Sequence, residues 1–140
     1  MAGSSMTFTY DGGADGAGHP TRFRRVIADW VSDDATGAVT GTSRKVVGRL
    51  VKAVTDPGSP APSANYDIAL TDDASADILA NTDATLANRH TSNSETVVFF
   101  EKNVAAAALA SAPVVCSTIT IAVTNAGNSK QGQIVLYVEV

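Results

Sequence analysis

The chain has 140 residues, enough for one domain with a core of its own and too few for a comfortable second one. Hydrophobic residues make up 44% and charged residues only 17%, which argues against wholesale disorder. A formal charge of −4, from 14 acids against 10 Lys and Arg, argues against free nucleic acid as a partner.

Residues 1–21, "MAGSSMTFTYDGGADGAGHPT", read as a flexible Gly/Asp-rich arm in which only Phe8 and Tyr10 offer much to bury. Residues 22–140 read as one β-sandwich domain. In "RFRRVIADWV" the two-residue period puts Val26, Ala28 and Trp30 on one face and Arg25, Ile27, Asp29 and Val31 on the other. A turn-rich stretch with Gly37 and Gly41 follows. Residues 43–55 are ambiguous, because Val46, Val47, Leu50, Val51 and Val54 fit a helical spacing as well as a strand. Their β-branching, Gly48 in mid-run and the closing "DPG" favour the strand. An amphipathic basic helix is the alternative, and it would suit a membrane surface or an acidic partner.

After the Pro/Ser loop "TDPGSPAPSAN", the run "YDIALTDD" alternates with Tyr66, Ile68 and Leu70 inward. A turn-rich region with a short "DILA" element leads to "ETVVFFEKN", which reads as a strand. "VAAAALASA" is open between a short helix and a loose connection. The final pair carries the strongest pattern. Ile119, Ile121 and Val123 share a face, then Ile134, Leu136, Val138 and Val140 do, with "NAGNSKQG" between them as in a hairpin. Six to eight short strands with turn signals imply an all-β fold, an antiparallel β-sandwich or barrel.

The chemistry-bearing residues are sparse. Cys116 is the sole cysteine, so no intrachain disulfide and no cysteine-based zinc site is expected, and "APVVCSTITI" makes it a small buried hydrophobe. His90 with Asp83 and Ser92 can be drawn as a triad, and His19 sits in the arm, but neither histidine lies in a nucleophile motif. Asp72, Asp73 and Asp77, like Asp11 and Asp15, lack the ligand series of a calcium loop and read as turn formers. No enzymatic activity, cofactor or metal is expected. No signal peptide or 18-residue apolar run is visible, so a chain made in the cytoplasm, with no membrane partner, is expected. Seven cations, Arg22, Arg24, Arg25, Arg44, Lys45, Arg49 and Lys52, fall in the first half of the chain. On neighbouring strands they would form a positive strip, either a solvated face or a docking surface for an acidic protein.

The phrases "DWVSDDATG", "VTDPGSPAPSANYDIALTDD", "ADILAN", "LANRHTSN" and "TITIAVTNAGNSKQGQIVLYVEV", in this order, resemble a family of small structural proteins of tailed bacteriophages and prophages. The resemblance covers most of residues 28–140 and rests on Trp30 to Asp33, Pro57 to Ile68, Asn88 with Arg89, and Asn125 to Asn128. It implies a capsid cement (decoration) protein, jelly-roll-like, bound to the major capsid protein on the outside of the head and bridging coat subunits. A low-copy tail, baseplate or collar protein is the second placement. A carbohydrate-binding β-sandwich using the Asp-rich loops, with calcium, is a third reading. Because the chain ends on the apolar run "IVLYVEV", that strand must lie centrally or have its edge covered by another copy. A homo-oligomer is therefore expected, a dimer before a trimer. The candidate protein-interface residues are Phe8, Tyr10, Arg24, Arg25, Arg49, Lys52, Val135 and Tyr137.

Overall fold

The structure is a computed structural model and describes residues 3–14, 20–78, 89, 91–98, 102–103, 108–109 and 112–140. These contain strands and no helix. The elements are β1 (Ser5–Ala14), β2 (Pro20–Val31), β3 (Val39–Thr42), β4 (Val46–Pro57), β5 (Asp67–Thr71), β6 (Glu95–Val98), β7 (Lys102–Asn103), β8 (Ala108–Leu109), β9 (Val114–Ser117), β10 (Thr120–Thr124) and β11 (Gln131–Glu139). A six-stranded antiparallel sheet runs β1-β2-β11-β4-β6, with β9 also paired to β4, and a three-stranded sheet runs β3-β10-β5. From β2 to β5, and again from β9 to β11, the chain crosses from one sheet to the other at each step. That alternation stacks the two sheets as a β-sandwich.

The expected alternation places the core. Val26, Ala28 and Trp30 of β2, Ile134, Leu136 and Val138 of β11, and Ile121 and Val123 of β10 are all buried. Each large aliphatic side chain of this set contributes about 1.5–3 kcal/mol through its removal from water. Trp30 packs at 5.7 Å, ring centre to ring centre, on Tyr66 from the facing layer. Its indole lies over Gly132 so closely that a Cβ there would overlap it, which is why the central strand carries a glycine at that point.

Three expectations are corrected and one open choice is resolved. First, Ser5–Ala14 is not a free arm. It pairs along its length with β2, from Ser5↔Val31 to Ala14↔Pro20, and Met6, Phe8 and Tyr10 pack against the core. The alternation of Met6, Phe8 and Tyr10 with Thr7, Thr9 and Asp11 is a strand pattern that the surrounding glycines hid. Second, β10 and β11 form no hairpin. β10 pairs β3 and β5, while β11 lies between β2 and β4 in the other sheet. The "NAGNSKQG" loop is thus a bridge between layers, because both strands have an apolar face to bury and facing each other satisfies both.

Third, of the two placements expected for the last strand the structure takes the central one: β11 is bonded on both sides. Fourth, Cys116 is exposed. It alternates with buried Val115 and Ser117 on β9 and points away from the core. Residues 43–55 resolve as the strand that β-branching favours: β4 is one long strand, with a register shift opposite Tyr137/Val138 that accommodates Val51. The "ETVV" part of the expected strand is β6. Phe99 and Phe100, and most of "VAAAALASA", lie outside the described residues.

Candidate protein-docking face

The register of the large sheet sets out its outer face row by row. Asp11 of β1, Arg25 of β2, Tyr137 of β11, Lys52 of β4 and Val98 of β6 stand side by side. The neighbouring row is Thr9, Ile27, Val135, Val54 and Thr96. Arg25 and Lys52 are thus separated by β11, yet they share one face because both β2 and β4 flank it.

These side chains are mutually held. Arg25 forks onto Asp11, its Nε donating to Oδ1 at 2.8 Å and its terminal nitrogen to Oδ2. The hydrogen bonds that Arg25 donates to Asp11 and then to Tyr137 raise its already high pKa, and the same guanidinium lowers that of Asp11. Lys52 Nζ sits 4.4 Å from the centre of the Tyr137 ring, a cation–π contact. Arg22 pairs with Glu139 at 2.7 Å. Tyr10 belongs to the inner face, but its hydroxyl reaches the rim and accepts the Arg44 backbone N–H at 2.7 Å, while the Arg44 guanidinium stacks over its ring at 3.9 Å.

Of the candidate interface residues, Arg25, Arg49, Lys52 and Tyr137 come together on this face, and Val135 lies at its centre, largely covered by its neighbours. Arg24 does not join them. It lines a pocket at the end of the sandwich with Arg44 and Lys45. Phe8 and Tyr10 face inward and are positioned to hold β1 on the core rather than to clamp a neighbour.

The sequence reading missed a set of exposed apolar side chains. Phe23, Val47, Val98 and Val114 fall on the outer parity of their strands, and Val140 joins them at the chain's end. Val47 belongs to the ambiguous run 43–55, to which the sequence reading assigns no inward face. The signal lay in its alternation with Arg49, which puts the two on one strand face. Apolar side chains grouped in this way on a sheet face, with cations among them, are the usual composition of a protein-binding surface.

Among the described residues, no three His, Cys, Asp or Glu side chains converge as metal ligands. Asp72 spends Oδ1 on the backbone N–H groups of Ala74 (2.9 Å) and Ala76 (2.8 Å), the turn-forming role expected of it. His19, His90, Asp83 and Asp15 lie outside the described residues. No helix among the described residues is long and apolar enough to cross a membrane.

The phrases that carry the phage resemblance serve the architecture. Ser32 Oγ donates to Gly127 O at 2.6 Å and accepts from Lys130 N at 2.8 Å. Asp33 Oδ1 accepts from the backbone N–H groups of Thr36 and Ala35, both at 2.9 Å, which hold its carboxyl below the usual aspartate range. Ser63 N donates to Ala126 O at 2.7 Å, joining the Pro-rich loop to the "NAGN" loop. Arg89 exchanges backbone hydrogen bonds with Asn65 and Tyr66 and pairs with Glu95. Asn88 lies outside the described residues. No protein-family model matches the chain, and no curated protein matches it.

Proposed function

We propose that this chain is a non-enzymatic virion structural protein, a cement or decoration protein that binds the outside of a phage head and bridges coat subunits. The observation that carries the reading is the outer face of the large sheet. There Arg25, Lys52 and Arg49 surround Tyr137 and the exposed Phe23 and Val98 on a domain that is acidic overall. Such a face suits an acidic coat surface: the apolar centre supplies burial and the cations supply steering and register. The ordered phrases resembling tailed-phage structural proteins support the same reading, and the β-sandwich is consistent with it.

The test is the copy number of the chain in purified virions of the phage that encodes it, measured against the major coat protein by intact-protein mass spectrometry. A fixed stoichiometric ratio to coat, lost in the Arg25→Glu/Lys52→Glu variant, is the expected result. A handful of copies per particle would move the protein to the tail or collar. Absence from virions would overturn the reading.

A further inference from the structure

The two most exposed large apolar side chains among the described residues, Val114 and Val47, lie on the β4–β9 part of the large sheet. Val114 is 73% exposed, Val47 57% and Val140 50%. In the ladder Val47 stands opposite Cys116 and Arg49 opposite Val114, all four on the outward parity. Val47, Val114 and Val140 line one open groove together with Arg22, Arg49 and Glu139.

This groove is bounded by two pockets of opposite charge. Val47 also lines the pocket that holds Arg24, Arg25, Arg44 and Lys45, whose one carboxylate, Asp11, is taken up by Arg25. Val114 also lines the pocket formed by Asp72, Asp73 and Asp77 with Cys116 and Ser117. The surface therefore reads basic, apolar, acidic in one continuous strip. Arg24, Arg44 and Lys45 stand at one end and three aspartates at the other.

We propose that this strip is a self-association surface, through which two copies form a two-fold symmetric dimer. The apolar valines meet at the axis, and the basic pocket of each copy faces the aspartates of the other. The argument for a second copy is the charge pattern. A two-fold rotation about the valines lays plus on minus at both ends, which is the self-complementarity that an isologous interface needs. A uniformly acidic partner would be attracted at one end and repelled at the other. The proposal does not rest on the phage reading: it concerns the purified chain alone, and although it shares Arg25 and Arg49 with the face described above, Tyr137 and Lys52 line neither the groove nor its two flanking pockets.

The test is sedimentation equilibrium of the purified chain at low and high salt. A monomer–dimer equilibrium that weakens with salt is expected. Val114→Glu should weaken it by at least about tenfold, and so should Arg24→Glu/Lys45→Glu. Adding Asp73→Lys and Asp77→Lys, both at exposed positions, to that double variant reverses the sign at both ends and should restore the dimer. Since Val114, Arg24, Lys45 and Asp73 are all exposed, unchanged thermal melts would separate loss of association from loss of fold. Cys116, the only cysteine, sits beside the axis, so a short bis-maleimide should link two copies through it. A chain that stays monomeric at hundreds of micromolar and low salt would overturn the proposal. So would a dimer indifferent to Val114→Glu, or a sign-swapped variant that stays monomeric. Failure here with coat-bound virion copies intact would leave the proposed function standing.

Discussion

The two ends of the sandwich are built on opposite plans. At one end the Trp30–Gly37, Pro57–Asn65 and Asn125–Gln131 segments close on each other through hydrogen bonds. Ser32 N donates to Lys130 O at 2.8 Å, Gln131 N to Pro60 O at 3.0 Å, and Gly58 N to Gln131 O at 2.9 Å. Asn125 Nδ2 reaches Asp67 Oδ2 at 2.6 Å. Gly127, at φ +82°, packs against Gly37 and Ser63 with no room for a Cβ. At the other end cations, aspartates and exposed valines face outward around the β4–β9 ladder. The first end spends its polar groups internally and specifies the fold. The second presents charged and apolar side chains to solvent, and such surface is what binding uses.

Substitutions break this contrast in a defined order. Trp30→Ala should be the most damaging, costing about 3–5 kcal/mol, because it empties the space between Tyr66 and Gly132; chemical denaturation would show it as a large fall in midpoint. Ser32→Ala should follow at about 1–3 kcal/mol, since Lys130 N–H loses its acceptor and Gly127 O a donor in a buried setting; the same denaturation assay measures it. Gly127→Ala combines a left-handed φ with a Cβ 2.5 Å from Ser63 Oγ and should cost about 1–3 kcal/mol, read as a lowered melting temperature. At the open end, Val114→Glu should shift stability by no more than about 0.5 kcal/mol while weakening self-association by at least about tenfold. A large loss of stability there would mean the two ends are not divided as described.

The smallest effect concerns pH. The carboxyl of Asp33 is held below the usual aspartate range by the N–H groups of Thr36 and Ala35. Its contribution is therefore fully present above the ordinary aspartate pKa and is lost only as pH falls through the lowered folded value. Carboxyl-carbon NMR titration should place the Asp33 midpoint below that of a free aspartate, and Thr36→Pro, which removes the first donor, should bring it back up.

Much of the fold was legible. Alternation alone assigned the inward faces of β2, β5, β10 and β11, because a strand buried on one side must repeat every two residues. The turn-forming role of Asp72 was legible too, since its carboxylate acts on backbone nearby in sequence. The candidate interface residues divide by placement. Arg25, Arg49, Lys52 and Tyr137 share a face as a positive strip requires, but Phe8 and Tyr10 point inward. The glycines around β1 looked like an arm because strand pairing is supplied by β2, not by local preference.

What the sequence determined by itself is periodic or local: strand faces, turn residues, a single all-β domain, an acidic balance with its cations gathered in one half. The tertiary structure decided the rest. It sent β10 and β11 to opposite sheets, put the C-terminal strand in the middle, and turned Val47, Val114 and Cys116 outward. The physical reason is that an alternating strand has two faces, and only its non-local neighbours determine which faces are covered. A valine opposite a partner strand and a valine opposite water are the same letter in the same pattern.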